Sequence, residues 1–515
     1  MNIWMRRLLT MVFASKQKPK GGEEKQEKIP DTLEQIEKML ENEAGLNKSF
    51  DVCFREMTFG GQKTALFYIN GFAKDDVLTE VIKRLTYVPL DEQPEDVVHH
   101  YADNLVAHIQ VQPYKSMTEV IGKVMAGGTA LFFDQATEAL VIDAKQFPVR
   151  STEEPDLERV VRGSRDGFVE TLITNVTLVR RRIRDPGFMT EMMQVGKRTS
   201  TDICVGYIKD IADPNLIQEI KNKINSVELD GLPLAEKQLE EAIIEKSGWS
   251  TYPLVRYSER PDVISSHLLE GHVIIFVDTS PSVMIMPTTF FHHVQHAEEY
   301  RETPIVGTYL RWVRFIGIWM SLFLLPLWYL IVVVHPEMKP PGLEFLGPNK
   351  MGELSILTQF IIAELGLDLM RMASVHTPSP LAIAMGLVAA ILVGDIAIKA
   401  GLFINEVILY LAVASIGLFA TPSYELSLAN RIQRLISLIT AAIFGAPGFV
   451  IGWTLWLIVL CLQRSYNSPY MWPFIPFNAK GMLAILLRLP VTSDKKRPSL
   501  TRSIDNTRQP QKNPN

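Results

Sequence analysis

Residues Phe315 to Val334 read FIGIWMSLFLLPLWYLIVVV, twenty consecutive residues without a charged side chain. Twenty apolar residues in a helix are enough to cross the hydrocarbon core of a bilayer. The stretch opens an apolar block that continues to Leu462, and it is preceded by Arg301, Arg311 and Arg314. Because basic residues collect on the cytoplasmic side of membrane helices, the pattern predicts a membrane helix that begins on that side.

The rest of the apolar block predicts further membrane helices. Residues 353–372 are long enough to cross but polar, which is typical of a helix packed inside a bundle or lining a water path. Spans at about 381–398 and 402–420 follow. Residues 435–462 are interrupted by GAPG at 445–448, and two interpretations remain open: a straight span, or a re-entrant hairpin broken at this motif. The positive-inside rule favours the hairpin, because it keeps the basic tail on the cytoplasmic side.

Ionisable residues lie inside this block, where a charge at the bilayer centre costs at least about 2.5 kcal/mol. They are Glu364, Asp368, Arg371, Asp395, Lys399 and Glu406. Spacings of three or four residues place Glu364, Asp368 and Arg371 on one helix face, and Asp395 and Lys399 on another. One interpretation is mutual neutralisation that locks helices together. The other is a ring of carboxylates, from Glu364 or Asp368, around a cation-selective pore in a symmetric oligomer.

The chain before the apolar block has the dense, mixed charge of a folded soluble protein. Alternating strand and helix patterns, including a hairpin around Gly60-Gly61, predict α/β structure. The predicted fold is therefore an α/β cytoplasmic domain of two subdomains followed by an α-helical polytopic membrane domain. The predicted boundaries are a flexible or interfacial leader at 1–29, subdomains at 30–149 and 150–305, membrane helices at 306–465, and an interfacial segment with a disordered basic cytoplasmic tail at 466–515.

A cluster of arginines ends a helical pattern that begins near Asp166. It consists of Arg180, Arg181, Arg182 and Arg184. Charge runs are most often solvated, salt-bridged faces. The alternative is a docking face for a partner protein or for anionic lipid headgroups.

Several classes of function find no support in the residues. No basic stripe with interleaved aromatic residues predicts nucleic-acid binding. The three cysteines are far apart, and His292, His293 and His296 lack the glutamate of a zinc-protease motif, so we expect no metal site. We also find no phosphate loop or nucleophile motif, and we expect neither a cofactor nor catalytic residues.

Three long motifs carry a resemblance to a known family. They are VVRGSRDGFVETLITNVTLVRRRIRDP at 160–186, LVRYSERPDVISSHLLEGHVIIFVDTSPSVMIM at 254–286, and GELSILTQFIIAELGLDLMRMASVHTPSPLAIAMGLVAAILVGDIAIKAGLF at 352–403. The chain resembles, from about Asp51 to Pro490, the GerA-type A-subunit family of bacterial spore germination receptors. Within it, the chain is most similar to a stage V sporulation branch, because HTPSP stands at 376–380 where nutrient receptors tend to carry a TPIG-like run.

The resemblance implies a multi-pass protein of the spore inner membrane with a large cytoplasmic amino-terminal domain. It implies other spore germination membrane proteins as partners, and an oligomeric bundle proposed to conduct ions. Because a single bundle of about four or five helices has little room for a water path, we expect a homo-oligomer. We therefore expect a subunit of an oligomeric channel that passes small monovalent cations during germination. The alternative is a non-conducting assembly or signal-relay subunit, in which the soluble domain docks partners and the membrane charges only hold helices together.

Overall fold

The computed structural model describes residues 27–89, 96–147, 158–244, 250–339, 341–342, 344–348, 352–376, 396–493 and 495–509. The predicted leader, apart from residues 27–29, and the predicted boundary at 149/150 lie outside these residues. The chain divides into two compact units. The first comprises the residues up to Ala44 together with Val52–Gln146, and the second comprises Gly45–Asp51 and everything from Phe147 onward.

The first unit is a five-stranded antiparallel sheet with its helices. In chain order its elements are α1 (Leu33–Glu43), β1 (Val52–Phe59), β2 (Gln62–Ile69), α2 (Asp75–Leu85), α3 (Val97–His100), β3 (Val111–Tyr114), α4 (Met117–Met125), β4 (Thr129–Phe133) and β5 (Ala139–Ile142). The strands pair in the order β1-β2-β4-β5-β3. Gly60 and Gly61 both have positive φ, 54° and 82°, in the predicted turn of the β1–β2 hairpin. Glycine adopts this backbone conformation without steric cost.

The second unit begins with the same arrangement. Its elements are α5 (Leu172–Arg180), β6 (Phe188–Val195), β7 (Thr201–Ile208), α6 (Pro214–Asn225), α7 (Ala235–Ile243), β8 (Arg256–Ser258), α8 (Pro261–Leu269), β9 (Val273–Val277) and β10 (Val283–Met286). The strands pair as β6-β7-β9-β10-β8, the order of the first sheet. Even the turns agree, because Gln135 and Thr279 have φ of 67° and 68° in the corresponding hairpins. The two subdomains are therefore copies of one topology.

This architecture refines the predicted fold. Two subdomains that mix helices and strands are present, but every pair of neighbouring strands is antiparallel. Sheets of this kind belong to the α+β class rather than to α/β folds with parallel strands. The short edge strands β3 and β8 were not predicted, because three or four residues carry too little alternation to show a period of two.

A helical region follows in the second unit. A 3₁₀ turn (Phe290–His293) leads to α9 (Ala297–Arg301), α10 (Pro304–Tyr329, continued by Leu330–Val334), α11 (Ile356–His376), α12 (Ala397–Lys399), α13 (Asn405–Phe419) and α14 (Tyr424–Leu462). Two of these, Pro304–Val334 and Tyr424–Leu462, are long and apolar enough to cross a membrane. Most of the predicted span at 381–398 lies outside the described residues.

Helix α14 is a hairpin rather than a straight helix. Gly445 has non-helical backbone angles, φ 62° and ψ −147°. Asn430 and Trp456, which would lie about 39 Å apart in a straight helix, both reach Tyr252. The hydroxyl of Tyr252 is 3.3 Å from Oδ1 of Asn430 and accepts a hydrogen bond of 2.8 Å from Nε1 of Trp456. The chain therefore reverses at Gly445, as the GAPG motif predicted.

The helices alternate in direction. The tip of the hairpin lies beside Val334, at the end of α10. Helices α11 and α13 begin at this same end, where Oε1 of Gln359 accepts a hydrogen bond of 2.9 Å from the backbone N–H of Ile404. The last turn of α13 packs against the first half of α10, where Gly417 meets Gly317. From the tip at Gly445, both arms of the hairpin extend towards the end at which α10 begins.

The carboxyl-terminal region packs back on the second subdomain. Its elements are β11 (Arg464–Ser465), β12 (Ser468–Pro469) and α15 (Ala479–Leu486). The backbone N–H of Ile504 donates to the carbonyl of Ile211 at 2.9 Å, and the Thr501 hydroxyl donates to the carbonyl of Glu270 at 2.7 Å. Leu500 is buried. The prediction of a disordered tail is therefore wrong for residues 495–509, because the hydroxyl groups of Thr501 and Ser503 and the backbone N–H of Ile504 bind carbonyl groups of the subdomain.

Candidate functional site: a buried charge clamp

The ionisable residues of α11 meet two arginines of the hairpin. Glu364 has a side chain only 2% exposed; its Oε2 lies 2.9 Å from Nη2 of Arg431 and its Oε1 lies 2.5 Å from Nη2 of Arg434. Asp368 pairs with Nη1 of the same Arg431. We call these four residues the charge clamp. Two carboxylates and two guanidinium groups give it no net charge.

Helical spacing explains the geometry of the clamp. Glu364 and Asp368 are four residues apart on α11, and Arg431 and Arg434 are three apart on the first arm of α14. Such spacings place each pair on one helix face, so the two faces can oppose one another. Arg434 also donates from Nη1 to the carbonyl of Ser321 in α10, at 3.0 Å. The clamp thus ties three helices together.

The clamp is deep in the bundle. Ser321 lies about 9 Å along α10 from Phe315, at 1.5 Å per helical residue. Arg434 is fully buried and Arg431 is nearly so. Burial of this kind is tolerated only when the charges are paired, and removing one partner strands the other. The contacts therefore favour the structural interpretation of Glu364 over a place on an open water path.

The structure changes the partners that the sequence suggested. Under the neutralisation interpretation, Arg371 is the basic residue on the same helix face as Glu364 and Asp368. In the structure its guanidinium lies over the rings of Phe419 and Tyr424, 5.8 Å from each centroid. The actual partners, Arg431 and Arg434, were interpreted only as a positive-inside signal. Their three-residue spacing at the start of an apolar stretch was the available clue.

The two carboxylates of the clamp differ in exposure, and the remaining intramembrane candidates are not among its four residues. Asp368 differs from Glu364 because 39% of its side chain is exposed. Glu406 is buried in the first turn of α13, and Lys399 is exposed at the end of α12. Asp395 lies outside the described residues, so its pairing with Lys399 stays a prediction.

A second buried charge cluster lies where α10 begins. The carboxylate of Glu299 is fully buried and pairs with Arg311, whose Nε is 2.6 Å from Oε2, and with Arg314. Arg311 also donates from Nη1 to the carbonyls of Ala484 and Ile485, at 2.7 and 2.8 Å. Of the arginines that precede the first span, Arg311 and Arg314 are therefore packed against Glu299 inside the protein, whereas Arg301 is exposed.

Tyr252 joins the second subdomain to both arms of the hairpin through the contacts with Asn430 and Trp456. Burial raises the pKa of the Tyr252 phenol above its ordinary range, so the hydroxyl keeps its proton. Nearby, Nε2 of Gln463 donates to the Ser250 hydroxyl at 2.8 Å. A movement of the segment that contains Ser250 and Tyr252 would therefore act directly on the hairpin.

Histidines that the sequence did not connect form a buried group in the second subdomain. The rings of His267, His272 and His292 lie with centroids 5.1 to 5.8 Å apart. Burial, with the charge of Arg256, lowers the pKa of His267 well below its ordinary value and that of His272 to about 4. Across the described ranges, no group of three or more His, Cys, Asp or Glu side chains is arranged to hold a metal ion.

The predicted docking face loses Arg180. Its guanidinium is fully buried and pairs in a bidentate manner with Asp51, at 2.9 Å for both contacts. Arg182 is partly buried against Asp166. Arg181 and Arg184 stay exposed, so docking of a partner or lipid remains a prediction for these two residues alone. The helical pattern placed all four on one polar side because it could not show that Asp51 lies beneath the helix end.

Comparison with known proteins places these features in a family. A family model described as "Bacillus/Clostridium GerA spore germination protein" matches residues 38–500. The chain is 45% identical to "Stage V sporulation protein AF" of Bacillus subtilis (strain 168), over 92% of this chain and 96% of that protein. It is 29% identical to "Spore germination protein KA" of the same organism, over 92% of this chain and 87% of that protein. The resemblance predicted from the motifs is confirmed, including its branch.

One solved structure is also similar. It is the crystal structure of the N-terminal domain of the A subunit of the Bacillus megaterium spore germinant receptor GerK3, with a TM-score of 0.41 and 24% identity. The similarity covers 52% of this chain and 99% of that one.

Proposed function

The chain belongs to the GerA family of spore germination proteins, and from that premise we propose that it is a subunit of an oligomeric cation channel in the spore inner membrane. A role in sporulation or germination follows from the family. Ion conduction, the cytoplasmic position of the amino-terminal domain and the oligomer are our proposals. Other germination membrane proteins are the expected partners.

The observation that carries the proposal is the contrast between the two carboxylates of α11. Glu364 is enclosed by arginines of its own chain, whereas 39% of the Asp368 side chain is exposed. Its exposed neighbours on α11, Leu365 and Leu369, are apolar. Asp368 contacts Arg431 on its buried side. The exposed part of its carboxylate would be costly against lipid at this depth, so a water path or a second copy is its favourable surrounding. Copies of the chain around an axis would then place a ring of Asp368 carboxylates at a cation path.

Helix geometry favours several copies over one. Within the described helices, Glu364 lies buried between Arg431 and Arg434 of its own chain, whereas Asp368 contacts Arg431 and keeps 39% of its side chain exposed. A bundle of this size has little room for a central water path. We therefore assign Glu364 to holding α11 against the hairpin, and Asp368 to the path.

Signal relay without conduction is the second candidate, and the Tyr252 joint favours it. This residue links the second subdomain to both hairpin arms, so a partner bound to the subdomain could move the helices. The two functions are compatible, because a relay of this kind could also open a channel.

Reconstitution separates the two candidates. Purified protein, alone and with candidate germination partners, is placed in liposomes loaded with potassium, and its mass is measured in mild detergent. We expect a multimer and potassium efflux above protein-free liposomes. A monomer, or a multimer that passes no potassium with any partner, would leave the relay as the better account.

A further inference from the structure

Residues 474–491 carry large apolar side chains that the described part of the chain leaves substantially exposed, and we call them the apolar face. Its exposed members are Phe474, Ile475, Phe477, Leu483, Leu487, Leu489 and Val491, each at least 38% exposed. The segment contains α15, whose inner side is held by the buried Ile485. Tyr470, just before the segment, is by contrast fully buried.

The segment is fixed at a definite level of the helical region. Arg311 of α10 caps the carboxyl end of α15 by donating to the carbonyls of Ala484 and Ile485. The backbone N–H of Arg488 donates to the Thr308 hydroxyl at 3.1 Å, which ties the end of the segment to the first turns of α10. Arg311 precedes the uncharged run that starts at Phe315 by about one helical turn, or about 6 Å. The segment thus lies just outside the apolar core of the candidate span.

The apolar face continues onto α10 itself. Ile305, Tyr309 and Trp312 are exposed by 84%, 66% and 46% on the first turns of that helix. Within 474–491 the ionisable residues are Lys480 and Arg488, both basic. Apolar side chains beside basic ones, without acidic residues, are typical of helices that lie in the plane of a membrane surface. Basic residues at this level are also attracted by anionic headgroups.

We infer that residues 474–491 form an in-plane anchor, with α15 lying in the boundary between headgroups and acyl chains of the leaflet on the side of the second subdomain. Its occupant is lipid, with anionic headgroups against Lys480 and acyl chains against the exposed leucines and phenylalanines. Arg311 connects this anchor to the buried Glu299 and so to the base of the first span. The inference rests on the proposed insertion of the helical region in a membrane.

Fluorescence quenching tests the anchor in the full-length protein. A bimane label is attached to Leu483→Cys or Phe477→Cys, with Lys209→Cys as the matched label on the second subdomain and Ile439→Cys as the label on the hairpin. The two partly exposed cysteines are replaced by alanine, and the buried Cys204 is kept. The protein is reconstituted in vesicles of phosphatidylcholine and phosphatidylglycerol that carry a nitroxide near the headgroup or near the bilayer centre.

The expected result is quenching at Leu483→Cys and Phe477→Cys at least about twofold stronger by the shallow nitroxide than by the deep one. The label at Ile439→Cys should show the reverse preference, and that at Lys209→Cys should respond only to iodide in the water. The inference would be overturned if iodide, but neither nitroxide, quenched the label at the two anchor positions. It would also be overturned if neither iodide nor the nitroxides quenched the label there, which would indicate that a second copy or another protein covers the segment. Absence of nitroxide quenching at Ile439→Cys would instead contradict the insertion of the helical region in the membrane. Ion flux is not measured, so a protein that does not conduct gives the same answer about the anchor.

Discussion

Replacing Glu364 with glutamine should destabilise the helical region strongly. The side chain of Arg434 is fully buried, and its Nη2 lies 2.5 Å from Oε1 of Glu364. Arg431 keeps Asp368 after the replacement, whereas Arg434 loses the carboxylate that the structure shows beside it. A stranded buried cation typically costs about 3 to 5 kcal/mol, which lowers the ratio of folded to unfolded protein more than about a hundredfold. Thermal unfolding in detergent and the amount of protein in spore membranes measure this loss.

Two control variants make the test specific. Asp368→Asn leaves Glu364 beside both arginines, so its cost should be clearly smaller than that of Glu364→Gln. The double variant Glu364→Gln with Arg434→Gln removes both members of the buried pair and leaves Arg431 with Asp368. It should therefore recover at least half of the loss, and the departure from additivity is the coupling energy of the pair. Wild-type stability of Glu364→Gln, or simple addition of the two single losses, would refute the clamp.

Three further predictions concern the second subdomain and its joint. Acid should unfold the second subdomain. Its histidines bind protons below about pH 6.5 when the chain is unfolded, whereas burial in the folded chain lowers the pKa of His272 to about 4. The stability is therefore complete above pH 6.5 and is lost as the pH falls towards 4. His272→Gln should reduce the slope of unfolding free energy against pH by up to about 1.4 kcal/mol per unit, and an unchanged slope would exclude this histidine. Tyr252→Phe should cost about 1 to 3 kcal/mol because the indole N–H of Trp456 loses its acceptor, seen as a lower melting temperature; no change would disprove the joint. Arg180→Lys should lower the free energy of unfolding by several kcal/mol, because lysine cannot make the bidentate contacts, whereas the exposed Arg184→Gln should stay within about 0.5 kcal/mol of wild type. Denaturant titration measures both variants, and equal effects would contradict this prediction.

Periodicity predicted most of the elements because it reports local structure. The β1–β2 hairpin, α2 and α6 and the reversal at Gly445 follow from turn residues and apolar spacing within short stretches. The apolar surroundings of Glu364 and Asp368 in the sequence likewise indicated that these charges need partners, but local spacing could not show which residues the partners are.

Contacts between distant residues were beyond such patterns. Glu364 and Arg431 are sixty-seven residues apart, and Asp51 and Arg180 are more than a hundred apart. Without an observable pairing, the nearest opposite charge in sequence, Arg371, was the partner considered, whereas the described ion pairs of Glu364 and Asp368 are with Arg431 and Arg434. The tail was misjudged for a similar reason, since its polar composition did not show that the hydroxyl groups of Thr501 and Ser503 bind the carbonyl of Glu270 in the second subdomain.

Cation flux through the Asp368→Asn protein tests the proposed channel most directly. Wild type and variant are reconstituted at equal density, and potassium and chloride movements are followed in the same vesicles. The account predicts a normal oligomer mass with a clear loss of potassium flux or of its preference over chloride, because the amide keeps the size of the side chain but removes its charge. Unchanged flux and selectivity in a correctly assembled variant would contradict the assignment of Asp368 to a cation path.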